Sequence, residues 1–253
     1  MSLCLFFGAR AYTQAGIITY EEVTKLELSG LDGIDLGDMM PSELSTTKAL
    51  YFDGSVLVYR NAEDHVDEDI EIESDDGSFQ MVIESGGSTE EILYTDLQTK
   101  KILNQTSFMS KDFLVESDLE KHKWKITDER IKYLDFVCQK ATMIETIEPT
   151  PGSEEGPTER EVVVWFTSEI PASVGPKDYH QLPGAVLMVS VDDGKTEIKA
   201  TKVVLERPSS DILVKPTNGK RVNPQEYERI IAQKMKEMQE MYGGREGAIM
   251  IRG

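Results

Sequence analysis

The chain has 253 residues, a formal charge of −19 at neutral pH and an isoelectric point near 4.6. So negative a surface repels phosphate backbones and anionic headgroups, which excludes nucleic acid as an expected partner. Hydrophobic residues make up 39% of the sequence and recur in short patterned runs, enough to bury the core of one domain.

Residues 1–15 differ from the rest. Leu3-Cys4-Leu5-Phe6-Phe7 is an apolar run, followed by small and polar residues ending at Ala15, which is the form of a signal-peptide remnant. Export to the periplasm or cell surface is therefore expected, with residues 16–253 as a single domain. No later stretch reaches the roughly 18–20 apolar residues of a membrane-spanning helix. Loss of the leader removes Cys4 and leaves Cys138 without a disulfide partner, so stability is expected to come from the core.

Alternation at Ile18–Tyr20 and Lys25–Leu28 predicts strand. Ala49–Phe52, the pair Asp53-Gly54 and then Ser55–Tyr59 predict a hairpin. The segment 63–76 is strongly acidic. Counted as an EF-hand loop from Asp67, it places Ile72 where Gly is needed and Ser78 where Glu is needed, so the calcium motif fails. Its carboxylates at alternate positions share one side of an extended chain, the pattern of a solvated strand edge or loop.

Further strands are expected at Phe79–Glu84, at Ile92–Tyr94 paired with Ile102-Leu103, at Phe108–Val115, at Trp124–Ile126, at Ile131–Phe136 and at Lys140–Ile147. Residues 149–159, rich in Pro and Gly, predict an exposed mobile loop. Strands then resume at Glu161–Phe166, Ala185–Val191 and Glu197–Leu205.

One helix is expected. Asn223 caps it, Pro224 takes its first position and Glu226 faces back to the cap, while Gly243-Gly244 ends it. Tyr227, Ile230, Ile231, Met235, Met238 and Met241 form its apolar stripe, read as core packing rather than as thioether ligands for copper. The expected fold class is mainly β: an antiparallel curved sheet, half-barrel or open barrel, with one C-terminal amphipathic α-helix.

Chemical motifs are absent. There is no phosphate loop, no dinucleotide turn, no H-E-x-x-H and no nucleophile elbow. His65, His122 and His180 have neighbours that suggest surfaces or turns rather than a metal-binding pair, and Cys138 in a β-prone run suggests a small buried side chain. No cofactor, metal or catalytic residue is assigned.

Residues 161–191 include Trp165-Phe166-Thr167-Ser168-Glu169-Ile170-Pro171, then Gly175-Pro176, then Gln181-Leu182-Pro183-Gly184-Ala185-Val186. This arrangement resembles the GLPGLI family of exported Bacteroidetes proteins, as do Trp124–Glu129, Cys138–Thr142 and the C-terminal helix. Gln181 stands at the motif's first Gly, and Ala185 and Val186 replace its Leu and Ile. If that Gly needs positive φ, the turn here is altered or strained. The resemblance implies export and an uncharacterised role.

Trp124, Trp165, Tyr179, Leu182, Pro183 and Gly184 are the candidate ligand or motif surface, against a competing role for the prolines and glycines as turn formers and for Trp165 and Leu182 as core. The leading functional expectation is an exported binding protein for a lipid-like or other hydrophobic ligand. The alternative is an envelope accessory protein acting by protein–protein interaction, and the third is a hydrolase of unknown type. Oligomeric state is left open.

Overall fold

The computed structural model describes residues 15–26, 42–62, 70–73, 80–83, 91–147, 149 and 156–242, with 70–73, 80–83 and 238–242 described by backbone alone. Residues 1–14 of the expected leader, most of the acidic segment, residues 150–155 and the Gly243-Gly244 helix stop lie outside them.

The first arm comprises β1 (Gly16–Lys25), β2 (Glu43–Phe52), β3 (Val56–Asn61), β6 (Ile92–Asp96), β7 (Lys101–Phe108) and β8 (Lys111–Asp118), with β4 (Ile70–Glu73) and β5 (Gln80–Ile83) falling between β3 and β6 in sequence. The second comprises β9 (Lys125–Tyr133), β10 (Phe136–Ile147), β11 (Thr158–Thr167), β12 (Ala185–Val191) and β13 (Thr196–Val204), followed by β14 (Lys220–Val222) and α1 (Pro224–Tyr242). Strands β4 and β5 form a separate two-stranded sheet. The other twelve form one sheet in the order β14-β8-β7-β6-β3-β2-β1-β13-β12-β11-β10-β9. Every pairing in it is antiparallel except β14 on β8.

The connection from β8 to β9 dictates the curvature. Ten strand spacings of about 4.8 Å would separate them by about 48 Å in a flat sheet, but seven peptide steps from Asp118 to Lys125 reach about 25 Å at most. The sheet must curl until its arms approach. Accordingly Leu57 and Tyr59 of β3 share a core cluster with Met143 of β10 and Val162 and Val164 of β11. The curl does not close: β9 and β14 remain its two edges.

Both faces are covered near the middle. Alternation sends Leu50 and Phe52 inward, while Ala49 and Tyr51 pack outward with Val58, Tyr94, Leu103 and Leu114. Ile212 and Leu213, in the connection between β13 and β14, pack on that outer cluster. The inner face is filled by the chain itself: Ile170, Ala172, Val174, Tyr179 and Leu182, from the connection between β11 and β12, are all buried there.

Local rules explain several elements. In the Asp53-Gly54 turn, Asp53 Oδ1 accepts from Ser55 N at 3.0 Å, Ser55 Oγ at 2.7 Å and Val56 N at 3.3 Å. Asn223 caps α1 by accepting from Glu226 N at 2.8 Å. The helix docks through its first turns, with Tyr227 edge-on to Phe113 at 5.2 Å and Ile231 buried. Met235 is 38% exposed, so the expected stripe loses contact there, and Met238 and Met241 lie outside the described side chains.

Three expectations are corrected. The run Phe108–Val115 is broken by a turn at Met109-Ser110, and Ile131–Phe136 by a turn at Leu134-Asp135. Strand β11 begins at Thr158, within the range expected for the loop 149–159.

Candidate functional site

The connection 168–184 passes beneath one arm of the sheet and holds much of the resemblance motif. It is built from tight three-residue turns: Ala172 N donates to Ile170 O, Val174 N to Ala172 O, His180 N to Asp178 O and Gly184 N to Leu182 O, each at 2.8–2.9 Å. These bonds satisfy backbone groups locally, which lets an irregular segment enter an apolar interior. Glycine is obligatory at two points. A Cβ on Gly175 would lie 2.0 Å from Tyr179 O, and one on Gly184 would lie 2.0 Å from Thr167 O.

The candidate residues fall into two groups. Tyr179, Leu182 and Gly184 are buried and serve as core and turn; Pro183 is exposed, and Trp165 is partly buried against the core. They do not form a common surface. Trp124 instead donates from Nε1 to His180 O at 2.8 Å and ties the β8–β9 linker to the motif.

Gln181 reinforces that tie. Its backbone takes φ +70°, the left-handed conformation that Gly would adopt without strain. Its side chain donates from Nε2 to Glu120 O at 2.6 Å and accepts from His122 N at 3.4 Å. The residue that replaces the motif's first glycine thus fastens the linker.

His122 and His180, expected at surfaces or turns rather than as a metal-binding pair, meet edge to face with ring centroids 6.4 Å apart. His122 also stands edge-on to Trp124 at 5.9 Å, and its Nε2 lies 3.7 Å from Asp178 Oδ2. His180 is wholly buried, and neither of its ring nitrogens has a hydrogen-bond partner among the described residues. Burial, with His122 adding, pushes the His180 imidazole down to about 4. Burial likewise raises the Asp178 carboxyl, although part of its side chain is exposed; His122 opposes that shift and Glu145 adds to it. His65 lies outside the described residues.

His122, Asp178 and Glu145 border a cleft of about 490 Å³ at the seam of the curled sheet. Residues 117–123 form one wall and Met143–Thr146 of β10 the other, with Ile102 and Asp178 completing it. Ile144 is 60% exposed within it. Glu145 pairs with Arg160 at 2.8 Å, so its carboxylate is already engaged.

The other chemical candidates resolve simply. Cys138 is buried, and desolvation, reinforced by Glu169, pushes its thiol up to about 11, opposite to the activation of a nucleophile. Among the described residues no group of three or more His, Cys, Asp or Glu is disposed to hold a metal ion, and no helix is long and apolar enough to cross a membrane.

The chain is similar to two solved structures. They are described as "Structure of PNGF-II in C2 space group", at 14% identity and TM-score 0.53, and "Structure of PNGF-II in P21 space group", at 15% identity and TM-score 0.52. Each alignment covers 87% of this chain and 33% of the other, so this chain spans about a third of their length and the likeness is one of fold. No curated protein matches. A family model described as "Protein of unknown function (Porph_ging)" matches residues 124–188, the stretch from Trp124 through the motif to Met188. Residues 124–188 are thus similar to the domain of the GLPGLI family, Porph_ging, whose function is unknown.

Proposed function

We propose that the chain is an exported binding protein that holds a small ligand in the cleft at the seam of its sheet. The observation that carries this reading is the cleft itself: its volume falls in the range of small-molecule sites, and it has apolar surface on both walls. Ile102 and Leu119 line it from one arm and Met143 and Ile144 from the other, while His122 and Asp178 offer polar contacts. The sheet's interior is occupied by Ile170, Val174, Tyr179 and Leu182, so the binding place moves from the bowl of the sheet to its edge. A ligand there is amphipathic rather than wholly lipid-like. Native mass spectrometry of the gently purified protein tests the reading. An adduct on the wild type that is lost from Ile144→Arg supports it; no adduct, or one the variant retains, removes it.

A second reading is an envelope accessory protein that pairs its sheet edge with a partner strand. Strand β9 favours it, since among the described residues its nine residues have a hydrogen-bonded neighbour strand only in β10, and Ile126 on it is 45% exposed. Recovery of the same envelope protein by the wild type, but not by Ile126→Lys, distinguishes this from a ligand in the cleft.

A further inference from the structure

The linker 119–124 is held to the motif loop by three hydrogen bonds: Trp124 Nε1 to His180 O, Gln181 Nε2 to Glu120 O and His122 N to Gln181 Oε1. At this attachment sits the wholly buried His180 ring, with two nitrogens unpartnered among the described residues and the His122 ring against it. A proton on His180 in this closed arrangement has no acceptor and meets a second imidazole. Opened to water, the same ring takes up a proton freely.

We propose that the His122–His180 pair is an acid-sensitive latch: acidification detaches linker 119–124 from the motif loop and opens the seam cleft. This goes beyond the binding reading and does not depend on what the cleft holds.

The charged surroundings bear on the sign. Asp178 and Lys177 lie on the motif turn, Glu120, Lys121 and Lys123 on the linker, Glu145 on β10, Arg160 on β11 and Glu22 on β1. Glu145 is engaged by Arg160 and Glu22 by Lys177, leaving Asp178 as the carboxylate beside His122. For His180 the closed-state value lies below the open-state value near 6.5, so closure is fully favoured above 6.5 and loses ground as pH falls toward 4. Asp178 acts in the opposite sense. Its value is raised in the closed state, so its protonation favours closure and offsets part of the histidine effect.

Hydrogen exchange on the full chain measures the latch. From 6.5 and about 4, His180 alone makes the opening equilibrium of residues 119–124 roughly thirtyfold more favourable at pH 5 than at pH 7.5. Protection factors, corrected for intrinsic exchange, should fall by up to that factor in the linker while β1 and β2 keep theirs. His180→Phe should abolish the fall; if that variant does not fold, His180→Gln serves in its place. Asp178→Asn should enlarge it. An unchanged wild type, an equal fall in the non-titrating variant, or a response abolished by Asp178→Asn would overturn the latch.

Discussion

Gln181 holds Glu120 by its side chain while its own backbone stands at φ +70°, so one residue both strains the motif loop and fastens the neighbouring linker. The left-handed conformation costs a non-glycine residue about 1–2 kcal/mol, and each hydrogen bond returns about 1 kcal/mol. Gln181→Gly removes both strain and bonds and is expected to leave stability within about 1 kcal/mol of the wild type. Gln181→Ala keeps the strain without the bonds and should be about 1–2 kcal/mol less stable. Urea denaturation of the two variants checks this. Equal midpoints for Ala and Gly would mean that the backbone strain is not what the geometry indicates.

The two close approaches in the motif make a sharper case. At Gly184 and Gly175 an added methyl group meets a carbonyl oxygen at 2.0 Å, and the obstacle in each case is backbone rather than a side chain that can rotate. Gly184→Ala and Gly175→Ala should each cost about 3 kcal/mol or more, or prevent folding. A methyl group added at Gly156 meets no atom within 4 Å, so Gly156→Ala should leave the melting temperature almost unchanged. Similar melting temperatures for all three variants would contradict this account of the motif.

What could be read from the sequence follows from how local each cause is. Asp53-Gly54 and Asn223-Pro224 announce a turn and a cap because the groups that make them lie within three residues. Met109-Ser110 and Leu134 carry no such chemistry. They take positive φ, 48° and 58° in the first turn and 49° at Leu134, because strand pairing on both sides forces the reversal. The cleft was less legible still. His122 and His180 are 58 positions apart and meet only because the sheet curls, which follows from strand order rather than from local periodicity. Gln181, a polar residue at a position suited to glycine, signalled only an altered turn.

Cys138 provides a test of burial. With its thiol at about 11, only about one part in a thousand is thiolate at pH 8 even before access is considered. Native protein should therefore react with a thiol reagent far more slowly than the same chain in denaturant. Cys138→Ala should be tolerated at about 1 kcal/mol, whereas Cys138→Ser, which places a hydroxyl in an apolar setting, should cost about 1–3 kcal/mol. Rapid native labelling would place the thiol at the surface and reopen a nucleophilic role.

The phenol of Tyr20 links the first strand to the end of the motif. It is wholly buried and donates to Val186 O at 2.7 Å, with Tyr59 edge-on at 6.2 Å. Burial raises both phenols well above their ordinary value near 10. A group whose folded value is raised supports the fold below its unfolded value and withdraws that support as pH climbs past it, so stability should decline from about pH 10 upward. In an alkaline absorbance titration these two phenols should ionise only together with unfolding, while exposed ones titrate earlier. Tyr20→Phe removes one titrating group and one buried hydrogen bond. It should lower stability at pH 7 by about 1–2 kcal/mol and yet flatten the decline above about pH 10. Should the variant fall away in alkali as steeply as the wild type, Tyr20 would not be one of the groups driving alkaline unfolding.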